Sequence, residues 1–300
     1  MELRDGNYEL FKGLRMNNKK LSKFFIIFGL LLFVLSIVSF LYPMTDLHIK
    51  AEEVKKNNRK DYSDHSNEEY EYGIANIKSL KEFKDTIRSE VIKRKLKGIE
   101  IPILIDDYIR NKFYSAGSFI EWHENWFLYL LDFIFPRLFF STSMVPDDII
   151  KYDYAMCSQS SIVFQEVVKD YGFDYASVRF FIPDFLHFSL AVKVDGEWYY
   201  FDSNMEPKYD RTDPGIYDGV VSADKNTLEN LYPDERNNNI SAFNDVNKSM
   251  ITASEINTFP AKNGVLVQKI SYFISWYGWI IFIVIGFIIY RYNNKKNIKK

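Results

Sequence analysis

Cysteine is nearly absent from the chain, because Cys157 is the only one among 300 residues. A single thiol cannot form an intrachain disulfide, which excludes a fold held together by disulfides. His48, His65 and His123 are scattered along the sequence and show no metal-ligand spacing with one another or with the cysteine. The sequence also lacks a glycine-rich phosphate loop. We therefore expect neither a metal ion nor a bound cofactor.

Acidic residues outnumber basic residues in the middle of the chain. The net charge is −2 overall, whereas residues 1–23 carry +3 and residues 269–300 carry +6, so residues 24–268 hold −11. An acidic region of this kind repels the phosphates of nucleic acids, and we expect no nucleic-acid partner.

Charge is missing altogether from two long apolar runs. Residues 24–42 form a run of 19 uncharged residues, and residues 270–290 form a run of 21. About 20 apolar residues in a helix span the hydrocarbon layer of a bilayer, so both runs predict transmembrane helices with the lipid bilayer as partner. The first run is longer than the apolar part of a signal peptide, and no small-residue cleavage pattern follows it, which favours a retained anchor.

The basic ends of the chain predict the orientation of these helices. Basic residues that flank a span remain in the cytoplasm, so we expect a multi-pass protein of the cell membrane with both termini cytoplasmic and the acidic middle on the other side. The predicted organisation is a cytoplasmic tail (1–23), a first span (24–42), a polar stalk (43–72), an extracytoplasmic domain (73–262), a second span (270–290) and a basic cytoplasmic tail (291–300).

Helix signals mark the first part of the extracytoplasmic domain. Apolar residues at helical spacing between Ser79 and Lys97 predict a helix, with Ser79 and Glu82 in a capping box and Gly98 at the end.

Two further segments have distinctive composition. Residues 126–140 are strongly apolar but contain Asp132 and Pro136, which favours a buried helix broken near Pro136 over a helix on the membrane surface. Residues 209–262 are rich in Asn, Asp and Ser and predict long loops that return to the membrane.

Cys157 stands at the start of a helical pattern. Apolar residues recur on one helix face after it, and Gly172 is a suitable C-terminal stop. The first turn of a helix has unpaired amide groups and the positive end of the helix dipole, both of which favour a thiolate. The position therefore indicates a reactive cysteine, although a free cysteine is also often a small buried apolar residue.

Three strand-like runs follow, at residues 175–182, 187–194 and 197–203, and the last two are joined by Asp195-Gly196. This dipeptide predicts a two-residue hairpin turn. Counting outward from the turn makes His187 and Asp202 diagonal neighbours on one face, with their Cα atoms about 7 to 8 Å apart.

The two faces of this hairpin differ in polarity. The face opposite His187 is apolar and suits the core. We therefore expect the polar face to be turned away from the interior, toward the Cys157 helix. A one-residue bulge would bring Asn204, instead of Asp202, into the position that orients the histidine.

Cys157, His187 and the run from Val194 to Asp202, with its Gly-x-Trp strand, resemble the transglutaminase-like family of the papain-like cysteine protease superfamily, in the form of a membrane-anchored bacterial-type member. The similarity covers about residues 150–205, with a weaker part from 106 to 126. Met156 replaces a glycine that many members have before the cysteine, and Phe188-Ser189 replaces the common Ala-Trp, which affects the shape of the acyl pocket.

The resemblance implies an α+β fold in which the cysteine helix packs on an antiparallel sheet, and a catalytic triad of Cys157, His187 and Asp202. It implies an acyl-transfer enzyme of the cell envelope that acts on a protein or peptide amide, by hydrolysis or by transfer to an amine. The Cys157 amide is the natural first donor to the oxyanion, and Tyr154, Gln159 and Trp122 are candidates for the second.

An alternative function is a scaffold without catalysis. The same fold and the two spans would then support a cell-envelope or surface-polysaccharide assembly, since transglutaminase-like domains without activity occur.

Overall fold

The computed structural model describes residues 18–47, 72–115, 117–135, 141–182, 185–204, 209–232 and 251–298. The fold is α+β, as expected, with an antiparallel sheet and two long apolar helices. The chain divides into two compact units. The first comprises 1–56, 120–141 and 267–300, and the second comprises 57–119 and 142–266.

The helices in chain order are α1 (Asn18–Leu41), α2 (Tyr72–Ala75), α3 (Leu80–Arg94), α4 (Glu100–Lys112), α5 (Trp126–Ile134), α6 (Pro146–Ile149), α7 (Cys157–Val168), α8 (Gly215–Val221), α9 (Lys225–Leu231) and α10 (Lys262–Ile298). The strands are β1 (Tyr114–Ser115), β2 (Tyr154–Ala155), β3 (Asp174–Ile182), β4 (Phe185–Val194), β5 (Glu197–Phe201) and β6 (Ile251–Ala253).

The main sheet of the second unit has the strand order β5-β4-β3-β6, with every neighbouring pair antiparallel. The predicted hairpin register is confirmed: Val194 pairs with Glu197 and Ala191 pairs with Tyr200. The turn residues Asp195 and Gly196 have φ values of 51° and 96°, which are the positive values that a two-residue hairpin turn needs. Strand β5 ends at Phe201, two residues earlier than predicted, so Asp202 follows the strand.

One face of this sheet is covered by the cysteine helix. Apolar residues of α7, including Ile162, Val163 and Val167, are buried in one cluster with Leu190 and Phe201 of the sheet and with residues of α3 and α4. Helix α7 ends in a 3₁₀ turn and then Gly172, whose φ of 74° is the left-handed conformation expected for the stop.

The opposite face of the sheet is also buried, contrary to the expectation that it would be turned away from the interior. It carries Phe180, Ala191 and Tyr200, which pack against Val220 of α8 and Leu228 of α9. The cysteine helix lies on the apolar face instead. The prediction was wrong because the helices that cover the polar face are short and have only a weak apolar pattern.

Those helices lie in the segment that was predicted to consist of long loops. Helix α9 begins after Asp224, whose carboxylate accepts hydrogen bonds from the backbone amide and the hydroxyl of Thr227. The few apolar residues of α8 and α9 point at the sheet, and this burial stabilises two helices of only seven residues each. The segments Asn239-Ile240-Ser241 and Asn247-Lys248-Ser249 match the pattern of a glycosylation acceptor, and both lie outside the described residues.

Helix α3 begins as predicted, because Ser79 is the N-cap and accepts a hydrogen bond from the Glu82 amide. It ends three residues early. Lys95 adopts the left-handed conformation with φ of 58° and terminates the helix, so Gly98 is not the stop.

The first unit is built on α1 and α10, two helices that are long and apolar enough to cross a membrane, over Lys19–Met44 and Lys262–Tyr292. They are antiparallel neighbours, since Ser22 Oγ donates to the Gly286 carbonyl at 2.9 Å and Ser36 Oγ donates to the Ser275 carbonyl at 2.8 Å. Between these bonds, an added Cβ on Gly29 would lie 3.0 Å from the Trp279 carbonyl oxygen, so the glycine permits close backbone approach.

Helix α5 belongs to this first unit. Asn125 caps it and donates a hydrogen bond to Ser271 Oγ of α10 at 2.8 Å. Leu128 is its one fully buried residue, whereas Phe133 is 80% exposed. The expected buried helix is therefore not observed over residues 126–134, because its partner is α10 and most of its apolar surface stays uncovered. Pro136, the predicted break, lies outside the described residues.

Candidate active site

Cys157 is the first residue of α7 and is partly exposed. Gln159 fixes this end of the helix, since its Oε1 accepts hydrogen bonds from the amides of Met156 at 3.1 Å and Ser118 at 2.9 Å. The amide of a first helical residue has no acceptor within the helix. The structure therefore confirms that Cys157 lies at the N-terminus of a helix.

His187 and Asp202 form a direct pair. Nε2 of His187 lies 2.6 Å from Oδ2 of Asp202, and both side chains are buried. The predicted diagonal relationship across the hairpin therefore brings the two groups into hydrogen-bonding contact, with no bulge between them. A carboxylate accepts only, so Nε2 carries the proton and Nδ1 is the nitrogen left to exchange protons with another group.

Cys157, the third residue of the predicted triad, lies on the histidine side of this pair. Cys157 lies close enough to His187 to contribute to the raised pKa of the imidazole. This proximity arises because the N-terminal part of α7 runs beside β4, where Ser161 Oγ donates to the Phe188 carbonyl at 3.5 Å. The structure therefore brings Cys157, His187 and Asp202 to one place, with the histidine and the aspartate in direct contact.

The charges of this group decide the protonation of His187. Burial by itself would lower the pKa of His187, but the charge and hydrogen bond of Asp202, followed by the nearby Cys157, raise it from 6.5 to about 10. Near neutral pH the imidazole is therefore an imidazolium.

Two tyrosines, Tyr232 and Tyr200, are connected to the Asp202 carboxylate by successive hydrogen bonds. The Tyr232 hydroxyl donates to Asp202 Oδ2 at 2.6 Å, and the hydroxyls of Tyr232 and Tyr200 are 2.5 Å apart. Because the Tyr232 proton is engaged by Asp202, Tyr200 is the donor in the second bond. Burial and then the Asp202 charge hold the pKa of both phenols well above 10, so both stay protonated donors.

Tyr232 is the residue of this site that the sequence analysis missed. It follows α9 and is 30 residues from Asp202 along the chain, in the segment predicted to be loop. The available signal was the short apolar pattern Leu228, Leu231 and Tyr232 after the capping residue Asp224.

Asn204 also holds the aspartate. Its backbone amide donates to Asp202 Oδ1 at 3.3 Å, and its side-chain Nδ2 donates to the carbonyl of Ala155 at 3.2 Å. Asn204 therefore ties the turn that carries Asp202 to the strand that leads into Cys157, and it does not take the place of the aspartate.

A buried ion network fixes the same turn from α4. Asp106 is fully buried and accepts hydrogen bonds from Ser203 at 2.5 Å, from Arg110 at 2.6 Å and from Arg211 at 2.8 Å. Arg211 also bonds Asp107 at 2.7 Å. Because Ser203 adjoins Asp202, this network anchors the carboxylate's backbone to the helix layer.

The three candidates for a second oxyanion donor lie in different surroundings. Gln159 is engaged elsewhere, because its Nε2 donates to the carbonyls of Ser118 at 2.7 Å and Ser143 at 2.9 Å. Both of its N–H groups are therefore used within the core, and Gln159 is a structural residue. Tyr154 is buried beside Tyr152, and Trp122 belongs to the first unit. The amide of Cys157 stays the first expected donor.

No group of three or more histidine, cysteine, aspartate or glutamate side chains in the described part of the chain is suited to hold a metal ion. No protein-family model matches the chain, and no curated protein or solved structure matches it either. The resemblance to transglutaminase-like proteins and the catalytic roles of the three residues accordingly stay predictions that rest on motif and geometry.

Proposed function

We propose that the protein is a membrane-anchored cysteine acyl-transfer enzyme of the transglutaminase-like, papain-like kind, with Cys157 as nucleophile, His187 as general base and acid, and Asp202 as the group that orients the histidine. The observation that carries the proposal is the buried His187–Asp202 pair at 2.6 Å, with Cys157 close enough at the start of α7 to affect the pKa of the histidine. Nucleophile, base and orienting group within hydrogen-bond reach are the requirements of covalent acyl transfer.

In the first half of the reaction, the Cys157 thiolate attacks the carbonyl carbon of an amide or ester. The C–S bond forms while the carbonyl oxygen takes the negative charge, which the Cys157 amide is placed to stabilise. The C–N or C–O bond then breaks, and the leaving group takes the proton from Nδ1 of His187. The product of this half is a thioester on Cys157.

In the second half, water or an amine attacks the thioester carbonyl. His187 accepts the proton of the attacking group, and the thiolate leaves as the C–S bond breaks. Water yields hydrolysis, as in a protease or amidase, and an amine yields an amide cross-link.

Asp202 keeps one orientation of the imidazole throughout these steps. The hydrogen bond to Nε2 directs Nδ1 to the sulfur and stabilises the imidazolium while it holds the proton. The carboxylate is itself fixed by Tyr232, Asn204 and the Asp106 network, so little movement is needed when the proton transfers. Cys157 is partly exposed, as a nucleophile that has to meet a substrate must be.

We also propose that α1 and α10 span the cell membrane, with both termini in the cytoplasm and the catalytic unit outside. The length and apolar character of the two helices support the spans, and the basic ends of the chain support the orientation. A substrate in the cell envelope, presenting a peptide or protein amide, follows from this location.

Intact-mass analysis tests the enzyme proposal. The full-length protein in detergent is mixed with an activated acyl ester, and the mass is read before and after hydroxylamine, which cleaves thioesters. We expect one acyl group, released by hydroxylamine, on the wild type and none on Cys157→Ala or His187→Gln. Absence of the adduct on a wild type that melts normally would select the alternative, a scaffold without catalysis.

A further inference from the structure

Helix α5 presents an apolar surface that the other described residues of the first unit leave exposed. Four large apolar residues at its end are exposed, among them Phe133 at 80% and Ile134 at 54%. A contiguous surface of this kind on a soluble part of a protein marks a binding or membrane-contacting face.

The helix is attached to α10 at a defined place. Asn125 donates to Ser271 Oγ and accepts from Ser275 Oγ at 2.7 Å, while the Trp126 indole donates to the Ser275 carbonyl at 2.9 Å. Ser271 and Ser275 lie within the apolar run 270–290. The attachment point is therefore near one end of the expected span, where aromatic side chains such as Trp126 are common.

Several polar groups of α5 are hydrogen-bonded within the unit. The Leu128 amide donates to Asn125 Oδ1 at 3.1 Å and the Phe127 amide donates to Ser275 Oγ at 3.1 Å. Asp132, the one acidic residue of the helix, accepts a hydrogen bond from the Ser141 amide at 2.8 Å. Satisfied backbone amides and a bonded carboxylate are what a helix needs in a medium without water.

A groove of about 850 Å³ runs between α5 and the two long helices. Leu130 and Phe133 of α5 line it together with Phe28 of α1 and Ile281 of α10. Ile281 is near the middle of the apolar run 270–290. The groove therefore extends from the end of the span toward its centre.

We infer that α5 is a third membrane-embedded element, held against α10 at the interface, with its exposed apolar face and the adjoining groove occupied by the acyl chains of bilayer lipids. The occupant follows from the neighbours of the groove, which are two helices of membrane-spanning length. The inference rests on the part of the proposed function that makes α1 and α10 transmembrane helices.

Spin labels on single cysteines test this. Because Cys157 is the only cysteine, Cys157→Ala gives a cysteine-free full-length chain into which Phe133→Cys, Leu31→Cys or Ile92→Cys is introduced. All three positions are large, apolar and exposed: Leu31 by 61% on α1 and Ile92 by 69% on α3. In phosphatidylcholine vesicles, collisions of each label with oxygen, which enters lipid, and with a water-soluble nickel chelate are measured.

We expect the Phe133 label to match the Leu31 label, with oxygen collisions favoured and nickel collisions several-fold fewer than at Ile92. A Phe133 label that matches Ile92, while Leu31 reports lipid, would overturn the inference and leave the proposed spans intact. A Leu31 label in water would overturn both. Leu130→Cys reports on the groove by the same measurement and replaces Phe133→Cys if that variant does not fold.

Discussion

The hydroxyl of Tyr232 donates a 2.6 Å hydrogen bond to Oδ2 of Asp202. The same oxygen accepts the bond from His187, so one atom receives both donors. Tyr232 is a positioning residue in this arrangement, because it acts on the histidine through the carboxylate. Its ring also packs edge-on against the His187 ring, with centroids 6.2 Å apart.

Tyr232→Phe removes this donor and leaves the ring in place. We expect a loss of about 1.5 to 3 kcal/mol in the free energy of unfolding, which is typical of a buried hydrogen bond to a charged group. The uncompensated charge on Oδ2 also attracts the imidazolium more strongly, so the pKa of His187 rises further. Denaturant unfolding and NMR titration of His187 measure the two effects.

Tyr217→Phe is the matched control. Tyr217 stacks on Trp198 through its ring, with centroids 5.6 Å apart, and removal of its hydroxyl keeps that contact. We expect a change in stability within about 0.5 kcal/mol and an unchanged His187 titration. If Tyr232→Phe behaves like this control, the tyrosine does not support the carboxylate.

Two buried groups make opposite contributions to the pH dependence of stability. The pKa of His187 is raised to about 10, so folding takes up a proton between pH 6.5 and about 10, and this stabilisation is lost as the pH rises through that window.

Lys112 is fully buried, and its Nζ donates to the carbonyls of Ala75 at 2.7 Å and Tyr152 at 2.9 Å.

Burial, and then the charge of Lys78, lower the pKa of Lys112 to about 7 against the opposing effect of Asp153. Folding therefore releases a proton between about pH 7 and 10.5, and this contribution to stability grows with pH. The contributions of Lys112 and His187 to the free energy of unfolding change with pH in opposite directions, and the two changes cancel over most of this range. We expect a nearly flat pH dependence in the wild type between pH 7.5 and 9.5.

Replacing one of the two groups leaves the pH dependence of stability that the other group produces. In Lys112→Met, the unfolding free energy is expected to fall with pH between about 7 and 10, and in His187→Gln it is expected to rise, each by up to about 1.4 kcal/mol per pH unit. Denaturant unfolding across this range measures the slopes. Two variants with the same slope as the wild type would show that neither group titrates as described.

Gly29 allows α1 and α10 to approach. A Cβ added there would lie 2.7 Å from Ile283 Cγ1 and 3.0 Å from the Trp279 carbonyl oxygen, so the helices must separate. We expect Gly29→Val to destabilise the helix pair by about 1 to 3 kcal/mol, seen as a lower melting temperature in detergent. Gly278→Val is the control, because a Cβ there meets only Ile274 of the same helix, at 3.3 Å. Equal melting of both variants would argue against the close contact.

Much of the candidate site could be predicted because its parts depend on local pattern. The Asp195-Gly196 turn fixes the hairpin register, and the register in turn fixes the approach of His187 to Asp202. Periodicity and Gly172 likewise define the cysteine helix. These signals need no knowledge of the remaining chain.

The parts that escaped prediction depend on long-range packing. Helices α8 and α9 have weak periodicity and are stabilised by the sheet face they cover, so their segment resembled a loop, and Tyr232 went unnoticed with them. Helix α5 was expected in the soluble core because its composition is equally apolar in either setting. Its actual partner depends on Asn125 and Ser271, which are 146 residues apart.

The rate of alkylation of Cys157 by iodoacetamide tests the central claim most directly, because the chain has no other thiol. Full-length protein in detergent is compared at pH 7 with the urea-unfolded chain and with His187→Gln, by intact mass. We predict that the folded wild type reacts at least tenfold faster than either, as a thiolate paired with an imidazolium should. A folded wild type that reacts no faster than the unfolded chain would contradict the account of Cys157 as an activated nucleophile.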